Sequence, residues 1–374
     1  MRILHIVGDS KFGGGSVIIS RLALLAKSMG WEVDCLTTDP AFQDVLRGSG
    51  IGVVPLDVIW RRISLVRDLR GLRALTSFLK TAGYDVVQTH TSKAGMIGRL
   101  AAHRAGVPRI IHTVHGFAFH EESAAVARWA YSRLERLAAR WCDRIVTVSA
   151  YHRDWALRLG IGSPSQIVAI PNGVSPDRVR AVTPREVTRR SWGLTKQDCA
   201  IVTTGRLAPQ KGLEYLLRSI PLLTARMGRR FRIILAGDGP LRKDLQEQAR
   251  ELGGTDSVVL LGFQPQLGDL LAAADLVVLP SLWEGLSIAL LEAMAAGKPI
   301  VTTLIGSNRE ATGEGEAALL VPTKSPESLA EAILRLASDT PLAGSLGRRA
   351  RERYEALYTD RRMEEAYRNI YNSL

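Results

Sequence analysis

Three observations predict an α/β chain with two doubly wound parallel-sheet domains. Short β-rich runs alternate with amphipathic helical segments from the first residues onward, the alternation restarts after about residue 170, and the strand-like runs are apolar throughout. Continuous apolar strands belong to parallel sheets covered on both faces.

In the first half, "RILHIV", "WEVDCLTT", "YDVVQTH", "PRIIHTVH" and "DRIVTVS" read as strands, separated by helical stretches such as "SVIISRLALLAKSMG" and "SRLERLAARW". After "VAIPNGVSPDRV" the pattern begins again with "CAIVTTG", "FRIILAG", "SVVLLG", "DLVVLP" and "KPIVTT". The link near Asn172 to Asp177 is short, with Pro171, Gly173 and Pro176 as turn residues, and suits a hinge. Domains are expected at residues 1–174 and 175–350. The tail 351–374 lies in one long amphipathic helix from about Arg349 that is expected to pack back on the first domain. Two such Rossmann-like domains leave a cleft at the carboxyl ends of their strands, where ligands of α/β folds bind.

A chain of 374 residues, 46% hydrophobic and 23% charged, has material for two cores of about 150 to 200 residues each. The opening "MRILHIVGDS" is too short an apolar run, broken at Asp9, for a signal peptide, and no window approaches the roughly 18 apolar residues of a membrane span. The reading is a cytoplasmic protein. Cys35, Cys142 and Cys199 have neither disulfide nor metal-ligand spacing and read as small core residues. The net charge of +12 is uneven, with 22 Lys and Arg against 13 Asp and Glu in residues 1–170. Part of it sits in "WRRISLVRDLRGLRALTSFLK", where Leu65, Leu69, Leu72 and Leu79 are expected to face a core while Arg67, Arg70 and Arg73 point outward. A solvated face and an anionic membrane surface both fit this helix; nucleic acid does not, since no aromatic residues interleave the charge.

Four stretches carry chemistry. "GDSKFGGGSVIISRL" is a strand, three glycines and a helix start, which admits close approach of a ligand backbone or an anion, although it matches neither G-x-G-x-x-G nor a P-loop. "TGRLAPQKGLEYLL" places Arg206 and Lys211 five apart after a strand that ends at Gly205, so that fork and point charge can share a diphosphate. "AGDGPLRKDL" offers glycines and Asp238 that shape a loop beneath a ligand. "PSLWEGLSIALLEAMAAGKP" puts Glu284 just before an apolar helix and Glu292 inside it, where an unpaired carboxylate is expensive. Along a helix rising about 1.5 Å per residue these acids stand some 8 to 12 Å apart, a span suited to the two sugars flanking a diphosphate, and carboxylates accept from pairs of sugar hydroxyls.

These stretches, with "THTSKAGMIGRLAA", "HTVHGFAFH" and the Glu, seven residues, Glu frame, closely resemble the bacterial retaining glycosyltransferases of family 4, which have the two-domain GT-B fold. The resemblance covers nearly the whole chain, and "HTSKAG" and "HGFAFHE" look like the subgroup that builds capsular polysaccharide, exopolysaccharide or lipid-linked oligosaccharide on polyprenyl diphosphate carriers. It implies that Arg206 and Lys211 bind the diphosphate and stabilise the leaving nucleotide, that Glu292 binds ribose hydroxyls, and that Glu284 with the backbone of Gly285, Leu286 and Ser287 binds the donor sugar. Gly262 and Phe263 would lie along the base. His115 matches an active-site histidine near the reaction centre, against the alternative of a core histidine at a strand end; Gly14 and Gly15 would approach the diphosphate, and His90, Thr91, Ser92 and Lys93 would line the acceptor side. The loop "IGSNREA" departs from the family's Gly-Gly-x-Pro-Glu pattern while keeping the acid at Glu310, and Ser149 reads as structural.

The resemblance implies a metal-independent hexosyltransferase of class EC 2.4 with no cofactor, a UDP-sugar as donor and a lipid-linked saccharide as acceptor, working at the inner face of the cytoplasmic membrane. No Asp-x-Asp appears near either sheet, so Arg206 and Lys211 take the part a divalent cation would play. A nucleotide-sugar epimerase on a similar fold and a non-catalytic sugar-nucleotide-binding module are the alternative readings; nucleotide release with and without acceptor separates all three.

Overall fold

The computed structural model describes residues 1–8, 13–60 and 64–374. Two compact units emerge, one of residues 1–172 with 362–374, the other of residues 173–361. Arg61 and Arg62 of the basic segment lie outside the described residues.

The first unit holds strands β1 (Arg2–Gly8), β2 (Glu32–Thr37), β3 (Gly52–Val53), β4 (Val86–His90), β5 (Arg109–Val114), β6 (Arg144–Thr147) and β7 (Ile167–Ala169). Its helices are α1 (Gly14–Ser28), α2 (Pro40–Gly48), α3 (Leu65–Ala82), α4 (Ser92–Ala105), α5 (Ala125–Ala139) and α6 (Ala150–Arg158). Every strand pair is parallel, in the order β3-β2-β1-β4-β5-β6-β7. The second unit adds α7 (Arg185–Ser191), α8 (Leu213–Arg218), α9 (Ile220–Arg226), α10 (Arg242–Glu251), α11 (Gly268–Ala273), α12 (Ile288–Ala295), α13 (Gly306–Thr312), α14 (Pro326–Ser338) and α15 (Thr340–Leu357). Its sheet is β8 (Cys199–Thr204), β9 (Phe231–Ala236), β10 (Val258–Gly262), β11 (Leu276–Leu279), β12 (Ile300–Thr303) and β13 (Leu319–Val321), again parallel, in the order β10-β9-β8-β11-β12-β13.

In each sheet the strand order reverses between two central neighbours, β1 beside β4 and β8 beside β11. At such a switch the loops leaving the two strands part to opposite faces and open a crevice. The glycines at 13–15 and the segment His90–Lys93 follow β1 and β4, and Arg206 to Lys211 and the loop of Glu284 follow β8 and β11.

The tail is not one helix. After α15 the chain turns at Tyr358 and Thr359, and α16 (Asp360–Asn372) begins, so the return to the first unit falls at 361/362 rather than 350/351. In α16, Met363, Tyr367 and Tyr371 recur at helical spacing and are all buried. Tyr371 donates to Gln88 Oε1 at 2.6 Å and lies tilted against Trp31 with ring centroids 5.2 Å apart, and Tyr367 meets Thr113 Oγ1 at 3.4 Å. The two crossings are clasped together: Val174 N donates to Tyr358 O at 3.0 Å, Asp360 N to Val174 O at 3.2 Å, and Tyr354 Oη to Val174 O at 2.8 Å. Gly173 is required there, since a Cβ on it would stand 2.4 Å from Thr359 O.

A second expectation is corrected on α3. Leu72, Leu75 and Leu79 are buried, but Leu65 and Leu69 are 79% and 54% exposed. They share the buried face by spacing, yet lie beyond the end of the core; periodicity gives a helix its face, not how far its neighbours extend. Farther along the sheet, Arg99 of α4 is wholly buried and pairs with Glu135 of α5 at 2.6 Å, with a second bond to Gly95 O at 2.8 Å. Removing one partner of such a pair leaves an uncompensated charge. Glu135→Ala is expected to cost about 3 to 5 kcal/mol in the unfolding of the first unit, read by urea titration, with Arg99→Met+Glu135→Leu recovering most of the loss.

Candidate active site

In the second unit the loops after β8, β9 and β11 are fastened to one another by backbone. Leu207 N donates to Asp238 O at 2.9 Å, Leu241 N to Leu207 O at 3.0 Å, and Leu282 N to Gln210 O at 2.8 Å. Two glycines make these approaches possible. A Cβ at Gly237 would lie 1.8 Å from Gly205 O, and at Gly212, with φ of 58°, 2.2 Å from Pro280 O. The "GDGP" stretch thus shapes the loop beneath Arg206, as its composition predicts. A small cavity lined by Thr204, Gly205, Arg206, Lys211, Pro280 and Ser281 lies where they meet.

Arg206 is exposed and enters no ion pair among the described residues, whereas Lys211 is turned inward. Its Nζ donates to Glu284 Oε1 at 2.5 Å. Ser281 Oγ donates to the same oxygen at 2.8 Å, and Gln210 Nε2 to Oε2 at 3.0 Å, so both oxygens of Glu284 are engaged. The departing loop "IGSNREA" braces this acid from behind: Ser307 Oγ of α13 donates to Glu284 O at 3.2 Å, while Asn308 is buried and bonded to Thr302 and Thr303. Gly285, Leu286 and Ser287 are buried at the start of α12, where Ser287 caps Leu290 N. Phe263, at the end of β10 beside Gly262, is 61% exposed.

Glu292 sits within α12 and is 3% exposed. Arg178, from the 3₁₀ turn Pro176–Val179, supplies its partner: Nε and a terminal guanidinium nitrogen both reach Oε1 at 2.8 Å. Burial raises the Glu292 carboxyl above the usual carboxylate range, and Arg178, then Lys211, oppose that shift. Oε2 holds no hydrogen bond among the described residues.

In the first unit the signal is a row of imidazoles. His5 Nδ1 lies 3.1 Å from His90 Nε2, and His90 Nδ1 lies 3.0 Å from His115 Nε2. His90, expected to line the acceptor side, is instead fully buried behind His115 and offers no surface to a ligand. Lys93 of the same segment is drawn to Asp68 Oδ1 at 2.7 Å, and Ser92 opens α4. Thr91 has φ of 61° and ψ of 156°, a conformation that L-residues rarely hold and that collects at functional positions. Gly14 and Gly15 are exposed, and a Cβ on Gly15 would meet no described residue within 4 Å. Ser149 caps α6 and binds His152 Nδ1 at 2.7 Å, a structural role.

Sequence reasoning missed Arg178, Gln210 and His5. Gln210 adjoins Lys211, whose charge draws the reading; His5 is legible as the one titratable residue inside the apolar run Ile3 to Val7 of β1; Arg178 gives no local signal, because its partner is 114 residues away.

The pair Arg178 and Glu292 predicts an asymmetry. Because folding holds the Glu292 pKa above its unfolded value, this acid penalises the folded state increasingly as pH rises through that range, and Arg178 offsets the penalty. Arg178→Ala is expected to cost about 3 kcal/mol at pH 7.5 and markedly less at pH 5, while Glu292→Gln costs under about 1 kcal/mol. Urea unfolding of the second unit at both pH values measures this.

Comparisons with known proteins identify the family. Residues 13–173 match the glycosyl transferase 4-like domain, and residues 184–353 match glycosyl transferases group 1. The chain is 32% identical over 285 residues to the UDP-Gal:alpha-D-GlcNAc-diphosphoundecaprenol alpha-1,3-galactosyltransferase of Escherichia coli, spanning 75% of this chain and 74% of that one. It is 29% identical over 363 residues to the putative glycosyltransferase EpsD of Bacillus subtilis, covering 93% and 90% of the two chains. Among solved structures, Anabaena HepE in complex with UDP and glucose superposes with a TM-score of 0.86 at 22% identity over the whole of both chains. With two parallel-sheet units, a match to a family model in each and a relative aligned over most of its length, the chain belongs to the group 1 glycosyl transferases and is a glycosyltransferase of GT-B fold.

Proposed function

We propose that this glycosyltransferase takes a sugar from a UDP-sugar and passes it, with retention and without a metal ion, to a hydroxyl of a polyprenyl-diphosphate-linked saccharide. The observation that carries the donor half is the grouping of Arg206, Lys211, Glu284 and Glu292 on two fastened loops and one helix. Lys211 rests on Glu284 in the ligand-free site. A diphosphate offers Lys211 a stronger partner; as the ammonium turns to it, Glu284 Oε1 is released to accept from a hydroxyl of the donor sugar. Glu292 Oε2 accepts from the ribose, with Arg178 holding the carboxylate ionised through Oε1. The α12 amino end, at Gly285 to Ser287, adds backbone donors toward negative charge.

In the reaction the bond from the anomeric carbon to the diphosphate oxygen breaks, its electron pair leaves with the nucleotide, and the acceptor oxygen bonds to the same face. The acceptor proton passes to the leaving phosphate oxygen. Arg206 and Lys211 stabilise the charge that grows on the diphosphate. His115 meets the donor sugar near the reacting carbon, Phe263 and Gly262 flank the base, and Thr91 and Ser92 face the acceptor. The Escherichia coli relative, a UDP-Gal:alpha-D-GlcNAc-diphosphoundecaprenol galactosyltransferase, supports this donor and acceptor class.

Turnover is tested by incubating the protein with UDP-sugars and a polyprenyl-diphosphate saccharide, reading released nucleotide and the mass gain on lipid. Arg206→Ala and Lys211→Ala are each expected to lower the rate at least about 100-fold, and EDTA to leave it within about twofold. Near-native rates in both variants would sink the diphosphate assignment, and full loss with EDTA, restored by magnesium, the metal-free one.

The acceptor lies in a bilayer, and α3 and α5 of the first unit suit its surface. Among the described residues no helix is long and apolar enough to cross a membrane. Yet Leu65, Val66 and Leu69 stand exposed among Arg67, Arg70 and Arg73, and Val126 and Trp129 of α5 are 78% and 60% exposed, with Arg133 over the indole. Apolar side chains rimmed by arginine lie in the headgroup layer of an anionic membrane. Replacing Arg67, Arg70 and Arg73 by Gln is expected to weaken binding to anionic vesicles by about 3 kcal/mol, at about 1 kcal/mol per cation, and to spare activity on a short soluble acceptor. Equal co-sedimentation of the triple variant and the parent protein would assign the helix to solvent.

A further inference from the structure

His5, His90 and His115 form an unbranched chain inside the first unit, linked at 3.1 and 3.0 Å with neighbouring rings stacked at 5.4 and 5.3 Å. All three are neutral near pH 7. Burial pushes His5 down to about 3 and His115 down to about 4, and burial with the adjoining imidazoles takes His90 well below its ordinary value.

A neutral imidazole carries one N–H, and each link of the chain consumes one proton. Three rings and two links leave one proton over, and it must sit at an end. Only two arrangements exist: the spare proton is on His5 Nε2, with every ring protonated at Nε2, or it is on His115 Nδ1, with every ring protonated at Nδ1. The ends differ physically. His5 Nε2 is buried with no hydrogen-bond partner among the described residues. His115 is the one ring of the three that reaches the surface, and its Nδ1 has no hydrogen bond to any described residue. An N–H at the buried end would forfeit a hydrogen bond outright, and orphaned buried donors are rarer than orphaned acceptors; at the open end water or a ligand satisfies it.

We propose that the dead end at His5 sets the proton register of the whole chain, so that His115 presents Nδ1–H to a ligand and acts as a hydrogen-bond donor to an oxygen, not as a base. His5 and His90 are positioning residues that act through His115. The identity of that oxygen, a hydroxyl of the donor sugar, rests on the function proposed above; the register does not.

The test is the ¹⁵N spectrum of histidine-labelled protein at pH 7.5, where protonated and bare ring nitrogens are separated by their shifts. Protonation at Nδ1 of all three rings is expected. Protonation of His115 at Nε2, or a mixture of tautomers, overturns the proposal. In His90→Asp an oxygen that can only accept takes the place of Nδ1, and the His115 proton is expected to move to Nε2, with kcat reduced at least tenfold and the dissociation constant for free UDP unchanged within twofold. His90→Asn, whose amide nitrogen takes the place of Nδ1 as a donor, is expected to keep the proton on His115 Nδ1 and most of the rate. A His115 ring still protonated at Nδ1 alone in His90→Asp also overturns the proposal. Should no nucleotide sugar be turned over while the wild-type register is as stated, the functional reading fails and the register stands.

Discussion

A carboxylate inside an apolar helix cannot remain ionised alone, and the second unit is arranged around that restriction. Glu292 is surrounded by the buried residues of α12 and meets Arg178, which comes from the turn directly after the chain enters the unit. Glu284, eight residues earlier, is met by Lys211, Gln210 and Ser281. Each acid therefore ties α12 to a different part of the chain, and neither tie is a surplus contact. Lys211 and Arg178 are held by the site's own acids while Arg206 stays exposed, so on the function proposed above a diphosphate displaces the pair of Lys211 and Glu284. Such a site trades some affinity for selectivity, because a ligand that cannot satisfy both the released lysine and the released glutamate leaves one of them stranded.

The parallel sheets decide where this can happen. Strands that all point one way send all their ligand-side loops to one edge, and the reversal of strand order separates the central two. In the second unit the loops after β8, β9 and β11 then approach so closely that Gly212 and Gly237 leave no room for a Cβ. The first unit uses its switch differently. There the strands themselves bring His5 from β1 beside His90 from β4, and the chain after β5 adds His115.

Much of this was legible in the residues. The central strands of both sheets read as apolar runs because both faces are buried, and the restart of the pattern marked the second unit. The strands that escaped notice, β3, β7 and β13, have two or three residues each and lie at sheet edges, where burial on two faces no longer writes a continuous pattern. Glu284, Glu292, Arg206 and Lys211 were found because their spacing is local to one loop or helix. Arg178 was not, since its partner lies far along the chain, and His5, although it stands out in the apolar run of β1, gains its meaning only beside His90. Leu65 and Leu69 show the converse failure: the helical period placed them correctly on a face that the core does not reach.

The return of α16 orders the life of the chain in time as well as in space. Gln88 and Thr113, in the middle of the first sheet, receive their tyrosine partners only from residues that follow the entire second unit. During synthesis, at roughly 5 to 20 residues per second, the amino-terminal sheet must therefore wait with an apolar groove uncovered while the other unit is made and folded. The second unit can finish before the first, inverting the usual order in which domains leave the ribosome. A nascent chain in that interval is the form of this protein most exposed to chaperones and to aggregation.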